Sequence, residues 1–81
     1  MVLHDTRHHG SIAVSREVGI SLRQLYYWVS RLHVVRPQLQ QHGRRRFRSF
    51  TTRDVQKLKA VKRLVERGYT LQAAVRAVKH A

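Results

Sequence analysis

The chain has 81 residues, among them 17 Lys or Arg, four Asp or Glu and no Cys, and its formal net charge is +13. This length allows one domain with a single core, the missing cysteine excludes disulfides and thiolate chemistry, and no run of about 18 apolar residues is present to cross a membrane. The charge predicts a polyanionic partner, with nucleic acid ahead of an anionic membrane surface; the alternative is a solvated basic surface without a partner.

Residues 1–10 are predicted to be a flexible tail, followed by one domain over residues 11–81. The tail lacks the apolar stretch of a secretory signal. Its histidines His4, His8 and His9 are potential metal ligands, but a mobile tail does not hold ligands in a fixed geometry. We therefore predict no metal site and no cofactor.

A helix-turn-helix is predicted from residue 11 onwards. Val14 and Val18 lie four residues apart on one helical face, and Gly19 ends this helix because glycine tolerates positive φ. Ser21 is a suitable N-cap for the next helix, so that about three residues separate the two helices. The apolar stripe of the second helix follows the spacing i, i+3, i+4, i+7 and comprises Leu22, Leu25, Tyr26 and Val29.

The other faces of the second helix carry long polar and aromatic side chains that are suited to reach DNA, namely Arg23, Gln24, Tyr27 and Arg31. Trp28 is predicted to be a core residue rather than a contact, because burial of an indole contributes on the order of several kcal/mol. The second helix is therefore the candidate recognition element.

The helical period is lost between Val34 and Phe50. We predict two short extended runs, near residues 34–36 and 45–50, with a polar loop over residues 38–43 between them. Four arginines within five residues, Arg44, Arg45, Arg46 and Arg48, make this hairpin strongly basic, and such a hairpin can lie along a phosphate backbone. The alternative is a solvated loop; in either case Phe47 and Phe50 are expected to fill the core.

Two further helices are predicted after the hairpin. Thr51 or Thr52 caps the third helix, with Asp54 in its first turn, and Gly68 ends it. Thr70 then caps a short fourth helix. The apolar faces of these helices comprise Val55, Leu58, Val61, Leu64 and Val65 in the third and Leu71, Ala74, Val75 and Val78 in the fourth.

The sequence offers no catalytic constellation. Asp54 and Glu66 would lie about 18 Å apart on one helix, too far for a general acid/base pair. No phosphate-binding glycine loop, nucleophile elbow or HExxH motif occurs, and His33 and His42 have no sequence partner for a dyad. We therefore predict no enzymatic activity.

The order of these elements resembles the DNA-binding domain of the MerR family of transcription regulators. Four stretches carry the resemblance in family order, namely residues 14–21, 22–28, 48–55 and 58–71. The chain departs from the family at Tyr26, where Arg is usual, and at Val29, where Glu is usual. The junction over residues 30–35 lacks the common glycine, so we expect its bend to be made differently.

The resemblance implies a mainly α fold, a four-helix winged helix-turn-helix with a short two-stranded β wing. The second helix would enter the major groove with Arg23 and Gln24 near base edges, while Tyr27 and Arg48 match family positions that hold phosphate. Composition alone suggests that the other wing arginines, Arg44, Arg45 and Arg46, add contacts to the DNA backbone and reach towards the minor groove. The expected DNA contacts are Ser21, Arg23, Gln24, Tyr26, Tyr27, Arg44, Arg45, Arg46, Arg48 and Lys62, with Lys57 and Arg63 as weaker phosphate candidates.

We expect a sequence-specific regulator that binds double-stranded DNA in the cytoplasm, at a nucleoid of bacterial type, and does not bind membranes. An excisionase-like or architectural protein that bends DNA is the alternative, followed by an RNA or membrane binder that uses charge alone. Family members usually continue into a coiled-coil helix and an effector domain, whereas this sequence ends at Ala81. A mainly monomeric chain is expected, and homo-oligomers on DNA or through such a helix stay open.

Overall fold

The computed structural model describes residues 8–80, which form four helices and a three-stranded antiparallel sheet. The elements in chain order are β1 (His8–His9), α1 (Ser11–Val18), α2 (Leu22–Ser30), β2 (Gln38–His42), β3 (Arg45–Thr51), α3 (Thr52–Glu66) and α4 (Leu71–Lys79). The strand order is β1-β3-β2, and the β2–β3 hairpin is the wing. This architecture confirms the predicted mainly α winged helix-turn-helix.

The helix-turn-helix forms as the sequence predicts. Gly19 ends α1 with a φ of 85°, and its N–H donates to the carbonyl of Ser15 at 2.9 Å. The hydroxyl of Ser21 accepts from the N–H of Gln24, whose side-chain oxygen accepts from the N–H of Ser21, both at 3.0 Å. This capping box fixes the first turn of α2.

The core face of α2 is centred on Leu25, Trp28 and Val29, which are all buried. Trp28 is therefore a core residue, as predicted. Tyr26, predicted to lie on the apolar stripe, is instead 40% exposed. The large indole occupies the core position three residues after Leu25, so the buried stripe is turned away from Tyr26.

The connection between α2 and the wing differs from the prediction. Residues 34–36 form no strand; Val34 and Val35 are apolar because they are buried in the core. The strand β2 lies instead at residues 38–42, where a loop was predicted. β2 pairs with β3 alone among the described strands, and polar residues can occupy such an edge because the pairing uses backbone groups.

The wing is a tight hairpin. Its register pairs Gln38 with Ser49 and His42 with Arg45, which leaves Gly43 and Arg44 as the two turn residues. Gly43 occupies the first turn position with a φ of 61°, where glycine is favoured in two-residue hairpin turns.

The two phenylalanines of the hairpin, both predicted to fill the core, have different environments. Phe50 is fully buried at the base of the wing, whereas Phe47 is 40% exposed, so the prediction is wrong for Phe47. Only the base of the wing reaches the core, and a side chain three residues further out lies beyond it.

The helices α3 and α4 pack against each other, and their N-caps agree with the prediction. The hydroxyl of Thr51 accepts from the N–H of Asp54 at 3.1 Å, and the carboxylate of Asp54 accepts from the N–H of Thr51 at 3.0 Å. Thr70 caps α4 through the N–H of Ala73 at 3.1 Å. The buried residues of these two helices are Val55, Leu58, Val61, Ala74 and Val75.

Part of the predicted N-terminal tail forms a strand. Residues 1–7 of the predicted flexible tail, with His4, lie outside the described residues. His8 and His9 pair with Thr51 and Phe50 as strand β1, so the prediction of a tail does not hold for them. Within residues 8–80, no helix has the length and apolarity needed to traverse a bilayer.

Candidate nucleic-acid interface

The outer face of α2 presents the predicted recognition side chains. Arg23, Gln24 and Tyr27 are all exposed, because Leu25 and Trp28 turn the opposite face into the core. The first turn of α2 contains no acidic residue, so the positive end of the helix dipole is left uncompensated at this surface. This face can approach a polyanion without an opposing carboxylate from its own first turn.

Two of the predicted contacts have bonds within the protein. The Ser21 hydroxyl and the Gln24 side-chain oxygen are committed to the capping box. The amide nitrogen of Gln24 has no part in that box. Both residues therefore hold the start of α2, next to Arg23, in a defined conformation.

The wing presents the predicted basic run. Arg44 in the turn and Arg45 and Arg46 in β3 are exposed, while Arg48, nearer the base of the wing, is half-buried. Residues 38–51 contain no Asp or Glu, so no carboxylate within the hairpin competes for the guanidinium groups. The arrangement suits contact with phosphates.

A cation–π contact joins the wing to α2. The guanidinium carbon of Arg48 lies 5.0 Å from the centroid of the Tyr26 ring. The sequence marked both residues separately as DNA contacts, but periodicity placed Tyr26 in the core and gave no sign of the pair. One feature of the sequence did point to the pair. Position 26 is usually Arg in the family that the sequence resembles, and an Arg there would repel Arg48, whereas Tyr26 can accept it.

A shallow cleft of about 430 Å³ lies between α2 and the wing. Its walls are formed by the first turn of α1, by Tyr26 and by the wing residues Arg46 and Arg48. Ile12 in this first turn is 59% exposed. Sequence reasoning did not place α1 at this surface, since the approach of α1 to the wing depends on tertiary packing.

Lys62 lies in a different environment from the other predicted contacts. Its ammonium donates to the carbonyl of Gly19 and to the carboxylate of Glu66, at 3.2 Å each. It therefore stabilises the C-terminal end of α1, where a cation is favoured. Its contact with phosphate stays a prediction, as do those of the exposed residues Lys57 and Arg63.

The acidic groups of the described residues serve the fold. Asp54 belongs to the capping box of α3, Glu66 pairs with Lys62, and Glu17 pairs with Lys59 at 2.9 Å. The hydrogen bond and positive charge of Lys59 lower the pKa of Glu17 below its ordinary value of 4.5. Across residues 8–80, no three His, Cys, Asp or Glu side chains converge as metal ligands.

A helix-turn-helix beside a basic β hairpin defines the class of winged helix-turn-helix DNA-binding domains. The comparison with known families agrees: the family described as "MerR HTH family regulatory protein" matches residues 12–81. The chain belongs to this MerR family, whose members bind double-stranded DNA and regulate transcription. No curated protein matches the chain.

Proposed function

We propose that this chain is a transcription regulator that recognises a specific sequence of double-stranded DNA, with α2 in the major groove and the wing on the phosphate backbone. The observation that carries the proposal is the contact between Arg48 and Tyr26, with 5.0 Å between guanidinium and ring. Because this contact ties the wing to α2, the two basic elements present one surface to the duplex.

Each element has a distinct role in this proposal. The major groove of B-DNA admits an α-helix, and an arginine can bond to the edge of guanine there. Arg23 is exposed at the start of α2 and is assigned to base edges, with the side-chain amide nitrogen of Gln24, which takes no part in the capping box, beside it. Tyr27 and Arg48 are assigned to phosphates, which fix the position of the domain without reading sequence.

The assignment predicts that Arg23→Ala and Arg48→Ala impair binding differently. Arg23→Ala should weaken binding to a duplex that carries the preferred sequence, called the selected site below, by about 1–3 kcal/mol. It should affect binding to a scrambled duplex much less. Arg48→Ala should weaken binding to both duplexes by a similar factor. It should also make the slope of log K against log salt concentration shallower by about one unit. Titrations of both variants on both duplexes at two salt concentrations measure these effects.

A second pair of variants tests the link between the elements. Tyr26→Phe keeps the ring beneath Arg48 and should bind nearly as the unmodified chain, whereas Tyr26→Ala should lose part of the Arg48 contribution. Circular dichroism of each variant checks that the fold is retained. If Arg23→Ala weakened both duplexes equally while Arg48→Ala changed sequence preference, the roles of helix and wing would be reversed.

The architectural alternative makes a separable prediction. A protein that mainly bends DNA should discriminate weakly between selected and scrambled duplex, yet retard circularly permuted fragments in a position-dependent manner. A strong preference for the selected site favours the regulator.

A further inference from the structure

One face of the wing combines an exposed leucine with basic side chains. In the β2–β3 register, Leu39 lies opposite Arg48 and Gln41 lies opposite Arg46. Residues directly opposite in an antiparallel pair project to the same face, so these four side chains share a face. Since Arg48 covers the ring of Tyr26, this is the face that adjoins α2.

Leu39 is 68% exposed, the highest value among the large hydrophobic side chains of residues 8–80. Together with Arg46 it lines a shallow depression of about 270 Å³ on the wing. A single exposed leucine is ordinary on a protein surface. This one is notable because it lies directly opposite Arg48 and diagonal to Arg46, on the face that the proposed function directs towards DNA.

The chemistry of this face matches the minor groove of DNA. Proteins that bind there use Arg and Gln to read its acceptors and place an apolar side chain such as Leu against sugars or between base steps. The strand β2 contributes no charge of its own, and β3 supplies the cations. A narrow A·T-rich groove attracts arginine, whereas the guanine amino group of a G·C pair obstructs its floor.

We infer that Leu39 is an apolar contact to the minor groove, and that it makes the wing prefer A·T base pairs beside the site bound by α2. The inference rests on the proposed function, which brings the wing to the duplex. It assigns the wing a share in sequence preference, beyond the phosphate contacts of Arg48.

Three duplexes test the inference. They carry the selected site flanked, under the wing, by A·T, by G·C or by inosine·cytosine pairs. Inosine lacks the minor-groove amino group of guanine but keeps its major-groove edge. The unmodified chain should bind the A·T and inosine duplexes about tenfold more tightly than the G·C duplex.

Leu39→Ala should weaken binding to the A·T and inosine duplexes by about 5- to 20-fold and leave the G·C duplex little changed. The slope of log K against log salt should stay the same, because no phosphate contact is lost. Leu39→Met keeps an apolar side chain of similar length and should retain most of the preference.

Tyr69→Ala is the matched control for the loss of an exposed hydrophobic side chain. Tyr69 is 50% exposed and follows α3. The 15 residues of α3 separate it by about 22 Å from Thr51, the last residue of the wing. This variant should bind all three duplexes as the unmodified chain does. A loss in Tyr69→Ala equal to that in Leu39→Ala would overturn the inference.

Two further results would overturn it: an inosine duplex that behaves like the G·C duplex, or a Leu39→Ala variant that weakens all three duplexes equally. The failure of the proposed function looks different. A chain that kept the A·T preference of its wing but bound selected and scrambled sites equally would contradict recognition by α2, while the minor-groove contact would stand.

Discussion

His33 makes the bend that directs the chain from α2 into the wing. It is the one non-glycine residue with positive φ among residues 8–80, at 52°. Immediately after it, the N–H of Val34 donates to the carbonyl of Trp28 at 3.0 Å, and the side chain of Val34 enters the core. Histidine adopts the left-handed region of positive φ more readily than most residues, but any residue other than glycine is strained there.

Replacement of His33 by glycine should therefore stabilise the domain. Relief of the strain gains about 1–2 kcal/mol, and the greater freedom of the unfolded chain offsets about 0.4–1 kcal/mol of it. The net expectation is a gain of about 0.5–1 kcal/mol in the free energy of unfolding, measured by urea denaturation. The His33 side chain is exposed, so its loss removes little packing.

Arg31→Gly is the matched control at the same junction. Arg31 caps α2 in the right-handed region, with φ −102° and ψ −39°, so glycine relieves no strain there. This variant should lose about 0.5–1 kcal/mol. A gain in Arg31→Gly, or a loss in His33→Gly, would contradict the account of the bend.

Some features of single residues could be predicted from the sequence and others could not. The absence of glycine in residues 30–35 predicted an unusual bend, and one exists, but no local pattern showed that His33 would adopt it. Helical periodicity placed Tyr26 in the core, and aromatic character alone placed Phe47 there, but neither signal shows which aromatic side chain fills the available space. Trp28 and Phe50 occupy that space, and both other rings remain partly exposed.

The four helices were predicted correctly because local sequence signals mark where they begin or end. Gly19 ends α1, and the N-caps Ser21, Thr51 and Thr70 begin α2, α3 and α4, so these boundaries follow residues that stand in the sequence itself. The strand β2 was missed because its pairing depends on β3, and its own residues show no apolar alternation. Val34 and Val35 produced the opposite error, since a buried connection can be as apolar as a strand.

The helices α1 and α3 are joined by an ion pair that should make stability depend on pH. Lys59 lowers the pKa of Glu17 below 4.5, so folding favours the ionised carboxylate. The stabilisation is present above the unfolded pKa of 4.5 and is lost as the pH falls through the lower folded value.

Glu17→Gln should accordingly lower the melting temperature at about pH 7, and this effect should fade as the pH falls through the lowered folded pKa of Glu17. Thermal denaturation across this range measures the difference between the two proteins. Glu66→Gln makes the same change in net charge but breaks only the pair with Lys62 within α3, so a comparison with it isolates the link between α1 and α3. A Glu17→Gln effect that persisted unchanged at low pH would rule out ionisation of Glu17 as its cause.

The whole molecule carries a charge of +13 with few internal counter-charges. Among the described residues, its ion pairs are Lys59 with Glu17 and Lys62 with Glu66. The remaining cations repel one another in the free protein, and a polyanion relieves that repulsion. Salt therefore acts in two directions, because it screens the repulsion within the fold and competes with the protein for DNA.

Salt titrations of DNA binding and of thermal stability separate these two effects. With about five to seven phosphates neutralised by the wing and α2, a plot of log K against log salt on duplex DNA should have a slope of about −4 to −6. Over the same range the melting temperature of the free protein should rise, so that loss of affinity cannot be attributed to unfolding. Replacement of Arg44, Arg45 and Arg46 by Ala should make the slope shallower by about two to three units. A slope shallower than about −2 for the unmodified chain would contradict a phosphate-binding surface of this extent.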